Sequence, residues 1–144
     1  MPQRKKRISN CIYLFKQYQS IKKEYPQFKT IIKRDKLIVD GELQPSPLHQ
    51  VYAFKMMYKY REYPRVYIVN PKLKARSDTE KIPHIYSQNR PCLFYPKNKE
   101  FTDDMLLGNT IIPWLSLWLY FYEIWYATGS WLGKGVHIDE KKDS

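Results

Sequence analysis

One segment of the chain concentrates residue types suited to nucleophilic chemistry. Residues 82–93 read IPHIYSQNRPCL and include His84, Arg90 and Cys92. A cysteine thiolate is a strong nucleophile near neutral pH, and nearby cations favour it. Because loops carry much of protein chemistry, Cys92 is a candidate nucleophile, with His84 and Arg90 as sources of charge or hydrogen bonds. One cysteine and one histidine on a loop are a weak signal, so a buried structural cysteine beside a surface histidine is the open alternative.

The other reactive side chains are expected to take no part in chemistry. Cys11 falls on the apolar stripe of a predicted helix, which favours core packing. His49 and His137 are interpreted as bystanders, and the Asp103–Asp104 pair as the first turn of a helix. Two cysteines support neither a disulfide framework nor a structural zinc site, and the 5 glycines form no phosphate loop or dinucleotide fingerprint. We therefore expect no metal and no cofactor.

Two helices are predicted to flank this segment. The first spans residues 10–25 and ends before Pro26, and the second spans residues 103–128. Both carry apolar side chains at steps of four, three and four: Leu14, Tyr18, Ile21 and Tyr25 in the first, and Trp114, Trp118, Phe121 and Trp125 in the second. Cys11 and Phe15 are expected to widen the first stripe.

Four β-rich runs lie between the helices and predict an antiparallel meander. They cover residues 28–32, 36–43, 49–60 and 65–69, with Asp40-Gly41 interpreted as a turn or bulge and residues 71–104 as mostly loop. In the third run Tyr52, Phe54, Met56 and Tyr58 share one face. The predicted fold class is α+β.

Charge divides the chain. Of a formal net charge of +11, residues 1–76 carry +13 and residues 77–144 carry −2. A basic surface attracts nucleic acid, acidic lipid or an acidic protein. The tyrosines interleaved with the basic residues keep a nucleic-acid binder open as an alternative, although no recognised motif supports it. They are Tyr52, Tyr58, Tyr60, Tyr63 and Tyr67.

Length and composition fit one globular domain. The 144 residues suffice for one core, which we place at residues 10–137, between a flexible basic arm (1–9) and a charged tail (138–144). Met105 to Ala127 is long enough to span a bilayer, but Glu123, Pro113 and tyrosines spread along the helix argue against a span. No signal peptide is apparent, so we expect a reduced, cytoplasmic protein with neither nucleic acid nor membrane as its partner.

The order of these elements resembles the ubiquitin-conjugating (UBC) fold. That family has an N-terminal helix, a four-stranded meander, an irregular segment with a His-Pro-Asn motif, and a crossover helix. Its catalytic cysteine follows the motif's Asn by eight residues. Here Ile82-Pro83-His84 stands at that distance before Cys92: Pro83 matches, Cys92-Leu93 matches a cysteine–leucine pair, and His84 replaces the Asn.

Several runs are more specifically similar to the stand-alone E2-like proteins of bacterial CBASS antiphage operons. They are PHIYS (83–87), CLFYP (92–96), DMLL (104–107), TIIPW (110–114), WLYFYEIW (118–125) and ATGSWLG (127–133). The resemblance implies a transferase in which Cys92 carries a protein C-terminus as a thioester and passes it to a lysine amine. It gives His84 an oxyanion or hydrogen-bonding role.

The same resemblance implies the partners. The acyl donor would be the C-terminus of a cGAS-like nucleotidyltransferase encoded beside the protein, which conjugation would prime. A separate activating enzyme is a further expected partner, because the sequence contains no recognisable adenylating domain. A catalytically inactive binding module of the same synthase is the alternative.

Overall fold

The computed structural model describes residues 2–133 of the chain, with side chains from Asn10 onward. The elements are α1 (Pro2–Glu24), β1 (Lys29–Lys33), β2 (Lys36–Leu43), β3 (Tyr52–Tyr58), β4 (Arg65–Asn70), β5 (Ile85–Tyr86), β6 (Arg90–Pro91) and α2 (Ile111–Thr128). Two 3-10 turns, Pro96–Asn98 and Leu107–Asn109, precede α2. The predicted tail (138–144) and His137 lie outside the described residues.

The first four strands form one antiparallel sheet in the order β1-β2-β3-β4, and β5 and β6 form a separate hairpin. In β3 the alternation predicted from the sequence is confirmed, since Tyr52, Phe54, Met56 and Tyr58 are buried and the residues between them are half-exposed. The α+β prediction and the predicted meander are therefore correct, and the arrangement is consistent with the UBC fold.

Hydrogen bonds attach α1 to the segment that leads into α2. The buried Gln17 donates from Nε2 to the carbonyl of Met105 (2.8 Å) and accepts from the amide of Leu107 at Oε1 (2.9 Å). The hydroxyl of Tyr25 donates to the carbonyl of Gly108 at 2.9 Å. These contacts satisfy main-chain groups of an irregular segment, which would be costly to bury unpaired.

A carboxylate fixes α2 to β3. Glu123 Oε2 accepts from the Tyr52 hydroxyl at 2.6 Å and from the Gln50 amide at 2.9 Å. Burial, followed by the bond to Glu123, raises the pKa of Tyr52 above its usual value. Glu123, the one charged residue of α2, is thus hydrogen-bonded within the protein.

No helix in residues 2–133 has the length and apolar character needed to cross a bilayer.

The helix boundaries differ from the prediction. α1 begins at Pro2 rather than at residue 10, so the backbone of residues 2–9 is helical; the division into arm, domain and tail stays a prediction. α2 begins at Ile111 rather than at 103, and Asp103 and Asp104 therefore precede it. Pro113 explains this start, because a residue without an amide hydrogen fits only the first turn of a helix.

Cys11 was predicted to lie in the core, and that prediction is wrong. Its side chain is exposed, as is that of Phe15, which was expected to widen the same stripe. On α1 the buried positions among described side chains begin at Leu14 and continue with Gln17 and Ile21. The turn that carries Cys11 therefore lies before the part of the helix that packs on the body.

The prediction of a turn or bulge at Asp40-Gly41 is also wrong. Both residues lie inside β2, where Asp40 pairs with Lys55 and Gly41 with Phe54. A Cβ atom on Gly41 would lie 2.4 Å from the ring of the buried Phe28. The glycine leaves space for that ring against the strand.

Gly41→Ala is expected to destabilise the fold by about 1–3 kcal/mol, because the new methyl group forces the buried Phe28 ring to move. Urea unfolding followed by circular dichroism measures the change. Glu42→Ala, at the next and exposed position of the same strand, is the control and should stay within about 0.5 kcal/mol of the wild type. Equal effects of the two substitutions would show that the Phe28 contact does not constrain β2.

Candidate active site

A short hairpin delivers Cys92 to its position. β5 and β6 pair Ile85 with Pro91 and Tyr86 with Arg90, and Cys92 follows β6 directly. The turn between the strands contains Gln88 and Asn89 in the left-handed region, with φ of 65° and 54°. The segment was predicted to be loop; the proline that borders Cys92 instead belongs to a two-residue strand.

The hairpin is fixed to the main sheet by its turn. The amide of Ile68 in β4 donates to the carbonyl of Asn89 at 3.0 Å. Ile68 is buried in the core, so the turn is held by a strand that is itself immobilised by packing.

The carbonyl oxygen of His84 accepts two hydrogen bonds. One comes from the Cys92 amide at 2.9 Å and the other from the indole Nε1–H of Trp118 at 3.0 Å. His84 adopts a left-handed conformation with φ of 51°. Histidine and asparagine are among the non-glycine residues that enter this region more readily than most. The two predicted site residues are therefore joined through the main chain, and α2 holds them both.

Cys92 is a buried residue with 2% of its surface exposed. Its thiol lies within hydrogen-bond distance of the Tyr86 hydroxyl (3.4 Å) and of the Phe94 carbonyl (3.5 Å). Partial burial, followed by the hydrogen bond from Cys92, raises the pKa of Tyr86 above its usual value. The hydroxyl therefore keeps its proton at neutral pH and can donate it to the sulfur when the thiol ionises.

An aromatic cavity of about 350 Å³ opens beside Cys92. It is lined by Cys92, Leu93, Glu100, Trp114, Leu117, Trp118, Phe121 and Trp131. Glu100 is the one formally charged residue on this wall, and its Oε1 accepts from the Tyr95 amide at 2.7 Å. The ring of His84 lies against Trp131, with centroids 5.1 Å apart. A reactant that approaches the Cys92 sulfur from this cavity is therefore surrounded by aromatic rings and one carboxylate.

The sequence profile of a known family matches most of the chain. Residues 17–138 match the family described as "Type II CBASS E2 protein". The chain belongs to this family. A comparison with curated proteins gives no match. The match confirms the resemblance to CBASS E2-like proteins, and it includes every residue of the site described above.

Three side chains of this CBASS E2 site were missed in the sequence. Tyr86 lies six residues before Cys92, and a tyrosine in a loop gave no sign that its hydroxyl would reach the thiol. Glu100 follows a 3-10 turn that brings it back to Tyr95. Trp131 lies beyond the end of α2, and its position near His84 depends on how the chain leaves that helix.

The predicted bystanders can be placed in part. His49 Nδ1 lies within hydrogen-bond distance of Ser46 Oγ, at 2.5 Å, and its ring contacts that of Tyr120. Arg90 stacks over Tyr86, with its guanidinium carbon 5.3 Å from the ring centroid, and donates from Nε to the Ser87 carbonyl. Arg90, which was predicted to supply charge near Cys92, thus stacks on Tyr86, the tyrosine whose hydroxyl contacts the thiol.

Trp118→Phe is expected to destabilise the CBASS E2 fold by about 1–2 kcal/mol, because the His84 carbonyl loses one of its two donors. Chemical denaturation measures the loss. Trp114→Phe is the control, since it makes the same change at an indole for which the structure shows no hydrogen bond to a described residue. If the two variants lose equal stability, ring packing rather than the bond to His84 accounts for the effect.

Proposed function

We propose that this CBASS E2 protein is an acyl carrier that moves a protein C-terminus from a thioester on Cys92 to a lysine amine. The proposed donor is the C-terminus of a cGAS-like nucleotidyltransferase, and conjugation primes that synthase. The family name supports an E2-like protein of a CBASS system. The acyl transfer is supported by the chemistry of the site, and the synthase as donor is what the resemblance to CBASS E2-like proteins implies.

The proposed reaction has two steps. The Cys92 thiolate attacks the carbonyl of an activated C-terminus, so that a C–S bond forms and the activating group leaves with its electron pair. A lysine amine then attacks the thioester, so that a C–N bond forms, the C–S bond breaks and the amine loses its proton. The activated donor is an acyl-adenylate or thioester made by a separate activating enzyme.

One observation carries the proposal: Cys92 lies on the wall of the aromatic cavity while its amide is fixed to the His84 carbonyl. A nucleophile must be held in one geometry to react efficiently. Cys11, exposed on α1, has neither feature.

Trp118 and Tyr86 are proposed as positioning residues. Trp118 holds the His84 carbonyl, and the Tyr86 hydroxyl, which accepts from the Cys92 thiol, is placed to donate to the sulfur once the thiol has ionised. A hydrogen bond from a neutral hydroxyl to a thiolate stabilises the anion, which is both the nucleophile of the first step and the leaving group of the second.

The second candidate function is a catalytically inactive module that binds the same synthase. The burial of the Cys92 thiol favours this alternative, since a structural cysteine is expected to be buried. Fold alone does not distinguish the two functions. A covalent adduct does, because a binding module forms none.

Cys92→Ser is expected to convert a thiol-labile adduct into a stable one. Co-expression of the wild type with its neighbouring synthase and any activating enzyme should give a higher-mass band on non-reducing gels. Reductant and hydroxylamine should remove that band. Serine forms an oxyester that survives reductant, so the variant band should persist, and mass spectrometry should locate it at residue 92.

Cys11→Ser is the matched control, since it removes the other cysteine and should leave the adduct unchanged. A band that survives Cys92→Ala but is lost with Cys11→Ser would mean that the wrong thiol was chosen. If no variant forms an adduct and the synthase is still captured, the protein is the binding module.

His84→Asn and His84→Gly distinguish the contribution of the His84 side chain to the reaction rate from that of its main-chain carbonyl. Asparagine and glycine both accept a left-handed conformation, so each should keep the carbonyl in place. Asparagine retains a hydrogen-bond donor and should keep the discharge rate within a few-fold. Glycine retains none and should slow discharge by about 10²-fold, as for loss of one oxyanion donor. Single-turnover discharge of the thioester to lysine measures both. Equal rates in the two variants would exclude a role for the side chain in the oxyanion site.

A further inference from the structure

We infer that a basic groove beside the aromatic cavity binds an acidic peptide segment, namely the part of the acyl donor upstream of its C-terminus. This inference rests on the proposed function. The groove encloses about 500 Å³. It lies between the turn after β3, the start of β4, and the hairpin with the segment that follows it. A volume of this size is typical of ligand sites.

Arginine dominates the charge of this groove. Arg61, Arg65 and Arg90 line it together with one acidic residue, Glu62. Glu62 lies 3.9 Å from Lys59. In the part of the chain that the structure describes, no ion pair uses any of the three arginines. The groove lining therefore keeps a net positive charge, with three arginines against Glu62, although the Asp103 carboxylate also acts electrostatically on Arg61.

Two of these guanidinium groups are held by aromatic rings. The guanidinium carbon of Arg90 lies 5.3 Å from the Tyr86 centroid and 6.0 Å from that of Tyr67. That of Arg61 lies 5.4 Å from the Tyr60 centroid. Stacking fixes the plane of a guanidinium and leaves donors at its edge, which is the geometry that carboxylates bind in pairs. Carboxylate is therefore the ligand chemistry that fits.

The groove adjoins the reactive thiol. Leu93 lines both the groove and the aromatic cavity on whose wall Cys92 lies. Tyr86 lines the groove, and its hydroxyl lies 3.4 Å from Cys92 Sγ. A chain with its last carbonyl at the sulfur can thus cross Leu93 and place its preceding residues among the arginines.

A peptide fits this groove better than a nucleic acid. Between the arginines the wall is apolar, formed by Pro64, Val66, Pro91, Leu93, Phe94 and Pro96. Such a surface suits a chain in which carboxylates alternate with apolar side chains. A uniform phosphate backbone would instead require cations along its whole path. The adjacent thiol also has chemistry with a C-terminal carbonyl and none with a phosphodiester.

Fluorescence anisotropy tests the inference directly. The probe is a fluorescein-labelled hexapeptide of four acidic residues followed by Leu-Gly, with a free C-terminus. The protein is the full chain with Cys92→Ala, so that no covalent step intervenes. Replacing Arg61, Arg65 and Arg90 together by Gln should weaken binding about tenfold or more. Added salt should also weaken it.

The control removes the same charge elsewhere. Lys23, Lys29 and Lys33 are exposed on α1 and β1, and β1 is the edge strand opposite β4. Their replacement by Gln should change affinity by less than about twofold. A peptide with Gln in place of its acidic residues should bind about tenfold more weakly to the parent protein. If the triple arginine variant fails to fold, Arg65→Gln and Arg90→Gln alone should each weaken binding about threefold.

Other outcomes overturn the inference. Equal affinity of the arginine and lysine variants would show only a diffuse basic surface. A single-stranded oligonucleotide that binds more tightly than the peptide, and loses affinity with the arginines, would assign the groove to nucleic acid. The gel assay of Cys92→Ser keeps the two proposals separate. A thioester without arginine dependence rejects the groove alone, and arginine-dependent peptide binding without a thioester rejects the chemistry alone.

Discussion

The carbonyl oxygen of His84 joins the reactive segment to the body of the molecule. It receives the Cys92 amide from its own segment and the Trp118 indole from α2. The position of the thiol therefore depends on that of α2, which the Glu123 carboxylate fixes to the end of β3. A left-handed residue at 84 completes the arrangement, and histidine is among the non-glycine residues that enter this region more readily than most.

Local patterns were sufficient to predict the sheet but not its exceptions. Strand β2 has the predicted bounds, and alternation identified the buried face of β3, because a period of two residues is a property of the strand itself. Glycine is needed at position 41 because the ring of Phe28, from the segment before β1, packs against it. This contact between distant residues could not be predicted from the local sequence pattern. The start of α2 was recoverable in principle, since Pro113 marks a first turn, but the Asp103–Asp104 pair was interpreted as that turn and extended the predicted helix too far.

The candidate site was predictable where it depends on chain order and unpredictable where it depends on side-chain direction. Cys92 was selected by its residue type and His84 by counting back from it, and the structure joins the two through one main-chain bond. Tyr86 and Glu100 also lie near Cys92 in sequence, yet only the hairpin and the following 3-10 turn bring them to the thiol and the cavity. Periodicity on α1 placed Cys11 in the core. It failed because a stripe of apolar residues predicts burial only over the length of helix that meets a neighbour.

The two cysteines differ in their access to small molecules. Cys11 is exposed on α1, so peroxide, glutathione and metal ions in solution reach it directly. Cys92 is 2% exposed and lines the aromatic cavity, so the same reagents reach its sulfur from the side of that cavity. In a solution of such reagents, exposure therefore favours modification of Cys11 over Cys92.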